Sequence, residues 1–248
     1  MTAGAPMILY GSNAVREALR GHRRVLRIWA ADESLAQAAR ALGAPAPVKV
    51  TPPPELERLC GSPHHQGLVC EVEPYRYADP AALLTPDDAL VVALDQVQDP
   101  QNLGAVCRSA ECAGASGVVV PGRRSAEVTA AVCRASAGAV EHLPVARVRN
   151  LADYLAEAKQ AGAWVYGAQA GAARPYTDVD WRGRAVIVLG SEGRGIRPRV
   201  RSVCDDLVSL PVRGRIGSLN VSAAAAVLLY EAARSRASAG AGTLDKST

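Results

Sequence analysis

An α/β fold is predicted for this chain, with a small α/β unit followed by a larger one built on a mainly parallel sheet. Three observations predict it. Helical and strand patterns alternate along most of the length. Apolar runs such as Leu90-Val91-Val92-Ala93-Leu94 and Ala185-Val186-Ile187-Val188-Leu189 show no polar alternation, as strands covered on both faces require. Polar loops bearing glycine follow several of these runs. With 248 residues and 49% hydrophobic content, the chain is long enough to bury a sizeable core.

Residues 1–73 read as one unit. A helix follows Ser12 in NAVREALR, a strand VLRIWAA comes next, and a helix runs from about Asp32 to Leu42. Strand VKVT, a short helix after Pro54 and strand GLVCEVE complete it. Residues 74–88 carry three prolines and no sustained periodicity, which predicts a linker. The second unit, residues 89–235, has strand patterns at 90–94, 117–120, 142–145, 163–168, 185–189 and 207–212. Helical patterns lie between them at 102–114, 125–137 and 151–161, and a last one at 219–234. The small, polar tail 236–248 is expected to be disordered.

Composition narrows the function classes. No apolar run reaches the roughly 18 to 20 residues of a membrane span, and no charged n-region precedes a long apolar stretch, so a cytoplasmic protein is expected. The six cysteines contain no C-x-x-C pair and sit among apolar neighbours, which predicts reduced thiols and no metal site. Net charge is +4, with lysine only at positions 49, 159 and 246. Arg20, Arg23, Arg24 and Arg27 cluster in RGHRRVLR, and Arg194, Arg197, Arg199, Arg201, Arg213 and Arg215 lie near glycine-bearing loops. Guanidinium forks suit phosphate oxygens, so a polyanionic partner fits, although a general arginine bias would leave the same trace.

Three loops concentrate the chemistry. In DPQNLGAVCRSA, residues 99–110, Leu103, Val106, Cys107, Ala110 and Ala113 form a helical stripe. Asn102 stands where an N-cap would, Gly104 permits close approach to the first turn, and Arg108 projects off the stripe. An i,i+3 pair of Arg108 with Glu111 is the purely structural alternative. The second loop, after AVIVLG, holds Gly190, Gly193 and Gly195 around Glu192. It matches neither G-x-G-x-x-G nor the P-loop, which disfavours a nicotinamide dehydrogenase, and its carboxylate would repel phosphate. The third runs through Gly214 and Gly217 into Ser218, Leu219, Asn220 and Ser222, where Ser218 could simply cap a helix. Ligands of open α/β sheets bind beyond the carboxyl ends of the strands. One composite site of Asn102, Arg108, Glu192, Ser218 and Asn220 is therefore predicted.

N-x-G-A-x-x-R at Asn102 to Arg108, L-G-x-E-G-x-G at Leu189 to Gly195 and S-L-N-V-S at Ser218 to Ser222 resemble the three motifs of the SpoU/TrmH ribose 2′-O-methyltransferases, in the SPOUT superfamily. YGSNAVREAL and HHQGLVCEV resemble the substrate-binding domain of bacterial ribosomal-RNA guanosine methyltransferases of that family. The resemblance spans about residues 8–235. It implies an L30e-like first domain, a C-terminal trefoil knot that binds S-adenosylmethionine (SAM), and a homodimer whose site uses both subunits. Cofactor contacts are expected from Ala168, Leu189, Gly190, Gly195, Leu210, Ser218 and Leu219. RNA contacts are expected from Arg20, Arg23, Arg24, Arg27, Arg108 and Arg194. The reaction implied is methylation of a ribose 2′-hydroxyl, most simply a guanosine of 23S ribosomal RNA, with neither membrane nor DNA as partner. Transfer RNA, a resistance-type ribosomal adenosine, or an assembly factor with little need of catalysis are the alternatives. A guanidinium keeps its charge in proteins, so Arg108 is expected to grip phosphate and stabilise developing charge rather than act as a base.

Overall fold

The computed structural model describes residues 5–241. The first unit is a four-stranded sheet carrying helices. Its strands are β1 (Met7–Tyr10), β2 (Val25–Ala30), β3 (Val48–Val50) and β4 (Leu68–Val72), in the order β1-β4-β2-β3. The central strand β4 runs antiparallel to both neighbours, whereas β2 and β3 are parallel. Helix α1 (Ser12–Arg20) buries Ala14, Val15 and Ala18, an i, i+1, i+4 stripe facing the sheet. Helix α2 (Glu33–Ala41) starts on Asp32, whose carboxylate accepts from the Leu35 N–H. Helix α3 (Pro53–Cys60) has proline in its first turn, where the missing N–H costs nothing.

The second unit is a seven-stranded sheet in which every pairing is parallel. It contains β5 (Leu90–Asp95), β6 (Gly117–Pro121), β7 (Val145–Val148), β8 (Trp164–Ala168), β9 (Arg174–Pro175), β10 (Ala185–Gly190) and β11 (Asp206–Ser209). Their order is β7-β6-β5-β10-β8-β11-β9. The helices are α4 (Pro100–Cys112), α5 (Ala130–Ala135), α6 (Leu151–Gln160), α7 (Pro198–Arg201) and α8 (Val221–Ala241). Alternate side chains of the two central strands enter different cores. Leu90, Val92, Leu94, Ile187 and Leu189 meet α4 and α8, while Val91, Ala93, Val186 and Val188 meet α6 and Val200 of α7. Helix α8 forms after the last strand and returns to pack on α4 and β10, the region where the resemblance places the knot.

Several expectations are corrected. Residues 74–88 are not a free linker: the Ala78 N–H donates to the Val145 carbonyl, the Tyr75 and Tyr77 hydroxyls accept from Val145 and Val128, and Leu83 and Leu84 are buried. The strand expected at 142–145 is a turn, because Val140 and Leu143 are buried from a 3-10 turn and β7 begins only after Pro144. Helix α5 is shorter than the pattern, since 126–129 form no helix, Thr129 being extended and the Ala126 N–H lying on the Val97 carbonyl. The expected disorder of 236–248 fails over 236–241, which continue α8, and 242–248 lie outside the described residues. Arg236 donates to the backbone carbonyls of Trp181, Gly183, Asp88 and Ala89, a contact no compositional argument finds.

The apolar core is continuous between the units, and one ion pair sits in the junction. Arg23 donates from Nε to Glu141 Oε2 at 2.9 Å and from Nη2 to Glu141 Oε1. Its guanidinium lies 5.5 Å from the Tyr75 ring centroid and also donates to the Cys133 thiol. Glu141 is almost wholly buried, so Arg23 is committed to it and is not the exposed RNA contact expected from RGHRRVLR. Nearby, His142 pairs with Glu17 at 2.8 Å. All six cysteines are free, and burial pushes Cys133 up to about 11 and Cys107 to about 12, so both stay thiols at neutral pH. Removing one partner of a buried pair leaves an uncompensated charge, so Arg23→Ala is expected to lower stability by about 3–5 kcal/mol. Urea unfolding followed by circular dichroism measures it, and Arg24→Ala, an exposed neighbour, is expected to change little.

Candidate active site

Strands β5 and β10 lie side by side with Gly190 in register with Asp95, so their carboxyl ends open at the same place. This is the crevice position of an open parallel sheet, between β6 on one side and β8 on the other. Asp95 is fully buried there and accepts two hydrogen bonds from one residue, the Arg197 backbone N–H at 2.8 Å and Nε at 2.8 Å, with Nη2 completing the ion pair at 2.7 Å. Segment 191–196 is thus pinned at both ends. Within it the Gly195 N–H closes back on the Ser191 carbonyl at 2.9 Å, and a side chain on Gly190 would strike the Gly195 carbonyl carbon at 2.0 Å. Gly193 and Gly195 have φ of 80° and 65°, the left-handed region that favours glycine.

The pinned loop carries Glu192 to a three-way junction. Glu192 Oε1 accepts from Asn102 Nδ2 at 3.0 Å and from Asn220 Nδ2 at 2.7 Å, and Asn220 Nδ2 also reaches Asn102 Oδ1 at 3.0 Å. Asn220 Oδ1 in turn accepts from the Ser222 N–H at 2.8 Å and hydroxyl at 2.6 Å, capping α8. One side chain therefore starts a helix and ties three loops. Asn102 does not cap α4. Asp99 does, accepting from the Gln101 N–H at 2.9 Å, and Asn102, buried in the first turn, is free for Glu192. Gly104 serves helix packing instead of a ligand, since a Cβ there would meet Ala135 Cβ at 2.4 Å.

Two cavities flank this junction. The larger, of about 390 Å³, contains all seven residues expected to touch cofactor: Ala168, Leu189, Gly190, Gly195, Leu210, Ser218 and Leu219. Ile196, Val208, Val212 and Val221 add apolar wall, and Gln169, Arg194 and Arg201 add polar groups. The second, about 360 Å³, is lined by Gln96, Gln98, Asp99 and Asn102 and shares Ser191, Glu192, Arg194 and Val221 with the first. Glu192 stands between them, with Oε2 outside the junction's hydrogen bonds.

Arg108 is not in either cavity. Six residues beyond Asn102, it emerges about 120° around α4 and lines a separate cleft toward the first unit. No Arg108 to Glu111 ion pair forms among the described residues. Of the other expected RNA contacts, Arg20 and Arg27 pair with Glu17 and Glu71, while Arg24 and Arg194 are exposed. Sequence reasoning missed Asp95, and it named Arg197 only as one of six arginines near the glycine-bearing loops. Their only trace was a charged residue ending an apolar strand and an arginine directly after a glycine loop.

A parallel sheet with a composite cavity at its carboxyl end, largely apolar on its walls, defines an α/β ligand-binding protein. Comparison with known proteins narrows this. The SpoU rRNA Methylase family matches residues 89–230, and RNA 2′-O ribose methyltransferase substrate binding matches residues 8–78. YacO of Bacillus subtilis, named as a TrmH family tRNA/rRNA methyltransferase, is 38% identical over 236 residues, covering 91% of this chain and 94% of that protein. A tRNA/rRNA methyltransferase of Mycobacterium ulcerans, itself uncharacterized, is 42% identical over 91% of this chain and 76% of its own. The structure of the SpoU methyltransferase AviRb from Streptomyces viridochromogenes with S-adenosylmethionine superposes with a TM-score of 0.80, at 26% identity over 94% of this chain and 91% of that one. The chain belongs to the SpoU methylase family, whose members methylate RNA at the ribose 2′-oxygen with SAM.

The larger cavity fits that cofactor. Its apolar walls suit an adenine and the methylene arms of the sulfonium, Gly190 keeps the wall free of a side chain there, and its volume lies within the usual range for such pockets. Because the loop is held by the Asp95 to Arg197 pair, Asp95→Asn is expected to weaken SAM binding by roughly ten- to a hundredfold, the value of a charge-assisted bond. Isothermal titration calorimetry on the folded variant measures it. Unchanged affinity would show that the pair does not shape the cavity.

Proposed function

We propose that this protein is a homodimeric, cytoplasmic SAM-dependent methyltransferase acting on the 2′-hydroxyl of a guanosine in 23S ribosomal RNA, the RlmB type of the family. The observation that carries the substrate reading is the first unit, a complete domain that matches the substrate-binding model over residues 8–78 and is fixed to the second by a shared core. A module for reading RNA is thereby held rigidly near the reaction site.

In this reading the larger cavity holds SAM, which supplies an already activated methyl group, and the second cavity receives the target ribose. Glu192 lies at the boundary and offers a free carboxylate oxygen to a ribose hydroxyl, while Asn102 and Asn220 keep that oxygen in place. Ser218, on the cavity wall, lines the cofactor side. The gain is mainly orientation, which in well-aligned reactions removes several kcal/mol of barrier. No buried general base sits in either cavity lining.

Arg108 reaches the target phosphate from a second copy. Two features support this: it faces away from the cavities of its own chain, and the cavity rim is unusually apolar. Leu219 (47% exposed) and Val212 (41%) line the cavity, Ile216 (78%) lies in the chain between them, and Val227 (38%) and Tyr230 (55%) are exposed on α8. Such a patch marks an association surface. There Arg108 acts as a fixed cation with a bidentate fork, holding phosphate and stabilising charge on the 2′-oxygen. Arg108→Lys keeps the charge but not the fork. Its single-turnover rate is expected to fall by about 10- to 100-fold, and near-normal methylation would overturn the bidentate role.

The decisive test is methyl transfer from labelled SAM to unmodified large-subunit ribosomal RNA, with transfer RNA in parallel and the product mapped by nuclease digestion and mass spectrometry. Label in 2′-O-methylguanosine of 23S RNA is expected. Label in transfer RNA alone would retain the chemistry and overturn the substrate.

A further inference from the structure

A third cleft, of about 280 Å³, lies where the two units meet. Its wall consists of Tyr10, Gly11, Asn13, Ala14 and Gln66 from the first unit and Gln101, Arg108, Arg134, Ala135 and Ala137 from the second. The chemistry of that lining is one-sided: two arginines and three carboxamides, with no carboxylate. Unlike Arg20, Arg23 and Arg27, neither Arg108 nor Arg134 has an acidic partner among the described residues.

The cleft is built by backbone turns and close packing. Gly11, at φ 93°, turns β1 sharply into α1, which places Tyr10 and Asn13 on either side of the bend. Ala137 and Gly138, at φ 52° and 88°, turn the chain back after α5. The contact of Gly104 with Ala135 sets the spacing of α4 and α5, and hence of Arg108 and Arg134. The Arg134 guanidinium lies 5.8 Å from the Tyr10 ring centroid, so a planar cation and a planar ring form one surface. Gln66 Oε1 accepts from the Ser12 N–H at 3.0 Å, which fixes the amide and leaves its NH₂ end available.

We propose that this interdomain cleft holds one nucleotide of the RNA strand, its phosphate on Arg108 and Arg134, its base against Tyr10 and its base edge read by Asn13, Gln66 and Gln101. Stacking on aromatic and guanidinium planes with amide contacts to base edges is how proteins read unpaired RNA. Arg134 is thus a substrate-positioning residue, and Arg108 links the nucleotide in the cleft to the one being methylated. The proposal rests on RNA being the substrate, and it extends that reading to a specific subsite.

The test is equilibrium binding of labelled fragments of unmodified large-subunit ribosomal RNA, and of transfer RNA, across a salt series. Arg134→Ala is expected to bind RNA on the order of tenfold more weakly, with the slope of log K against log salt reduced by about 0.7–0.9, the loss of one phosphate contact. SAM affinity is expected to be unchanged. Asn13→Asp, on the exposed surface of α1, places a negative charge in the cleft and is expected to weaken RNA binding in parallel, which protects the test against a folding defect in the first variant. Arg182→Ala, exposed and paired with Asp180, serves as the control and is expected to behave as wild type. Wild-type affinity and slope in both Arg134→Ala and Asn13→Asp would overturn the cleft. Losses seen with transfer RNA only would keep the cleft and overturn the ribosomal substrate, and a wild-type chain that binds neither RNA would overturn both.

Discussion

A fully buried carboxylate must be paired, and in this structure the pairing of Asp95 determines the shape of the active site. The desolvation cost of an isolated charge is several kcal/mol, so Asp95 holds Arg197 firmly once β5 and β10 are side by side. That bond fixes the far end of the loop whose near end is Gly190 in the sheet. With both ends fixed, the six residues between them can only arch, and glycine at 193 and 195 supplies the left-handed conformations the arch needs. Glu192 is delivered to Asn102 and Asn220 as a result. The two cavities and the wall of Glu192 between them follow from one ion pair behind the sheet edge.

The Arg23 to Glu141 pair plays the corresponding part between the domains. Each unit has its own sheet, and an apolar seam alone would permit sliding, because hydrophobic contact is not directional. A buried, hydrogen-bonded charge pair tolerates little displacement. Its presence beside Tyr75, Cys133 and the turn at 139–141 fixes the first unit against α5. The interdomain cleft then has set walls, with Tyr10, Asn13 and Gln66 of the first unit facing Arg108 and Arg134 of the second.

How much of this was legible in the sequence follows from the range of the interactions. The strands β5 and β10 announced themselves through unbroken apolar runs, and the polar residues after them through being in the wrong place for a turn. Asn102, Glu192 and Asn220 could be grouped because each follows a strand at the same sheet edge. What they do to one another could not. Asn102 read as a cap, since a cap and a junction residue occupy the same position on the first turn, and only the carboxylate of Asp99 decides between them. Asp95 and Arg197 are 102 residues apart, as are many unrelated charges. Arg23 looked like its neighbours Arg20, Arg24 and Arg27, because a distant glutamate and the Tyr75 ring, not composition, bury it. The tail resembled a disordered segment for a similar reason. Its small residues have no apolar stripe, yet the helix is tied down by Arg236 bonding to four carbonyls just before the central strands β5 and β10.

The separation of Arg108 from the other motif residues has a geometric origin. Residues that share a helix face recur every three or four positions, so a motif spacing of six puts its two ends about a third of a turn apart. Asn102 therefore points to the sheet edge and Arg108 to the interdomain cleft, and no rotamer change reverses this. A ligand that touches both must either wrap α4 or be shared with another copy. RNA is long enough to span separate surfaces, and a second chain can bring its own α4 to the cavity mouth, where the apolar rim of Ile216 and Leu219 lacks a cover. The same spacing that makes the motif recognisable thus sets Asn102 in the wall of the second cavity and Arg108 in the interdomain cleft, on different faces of α4.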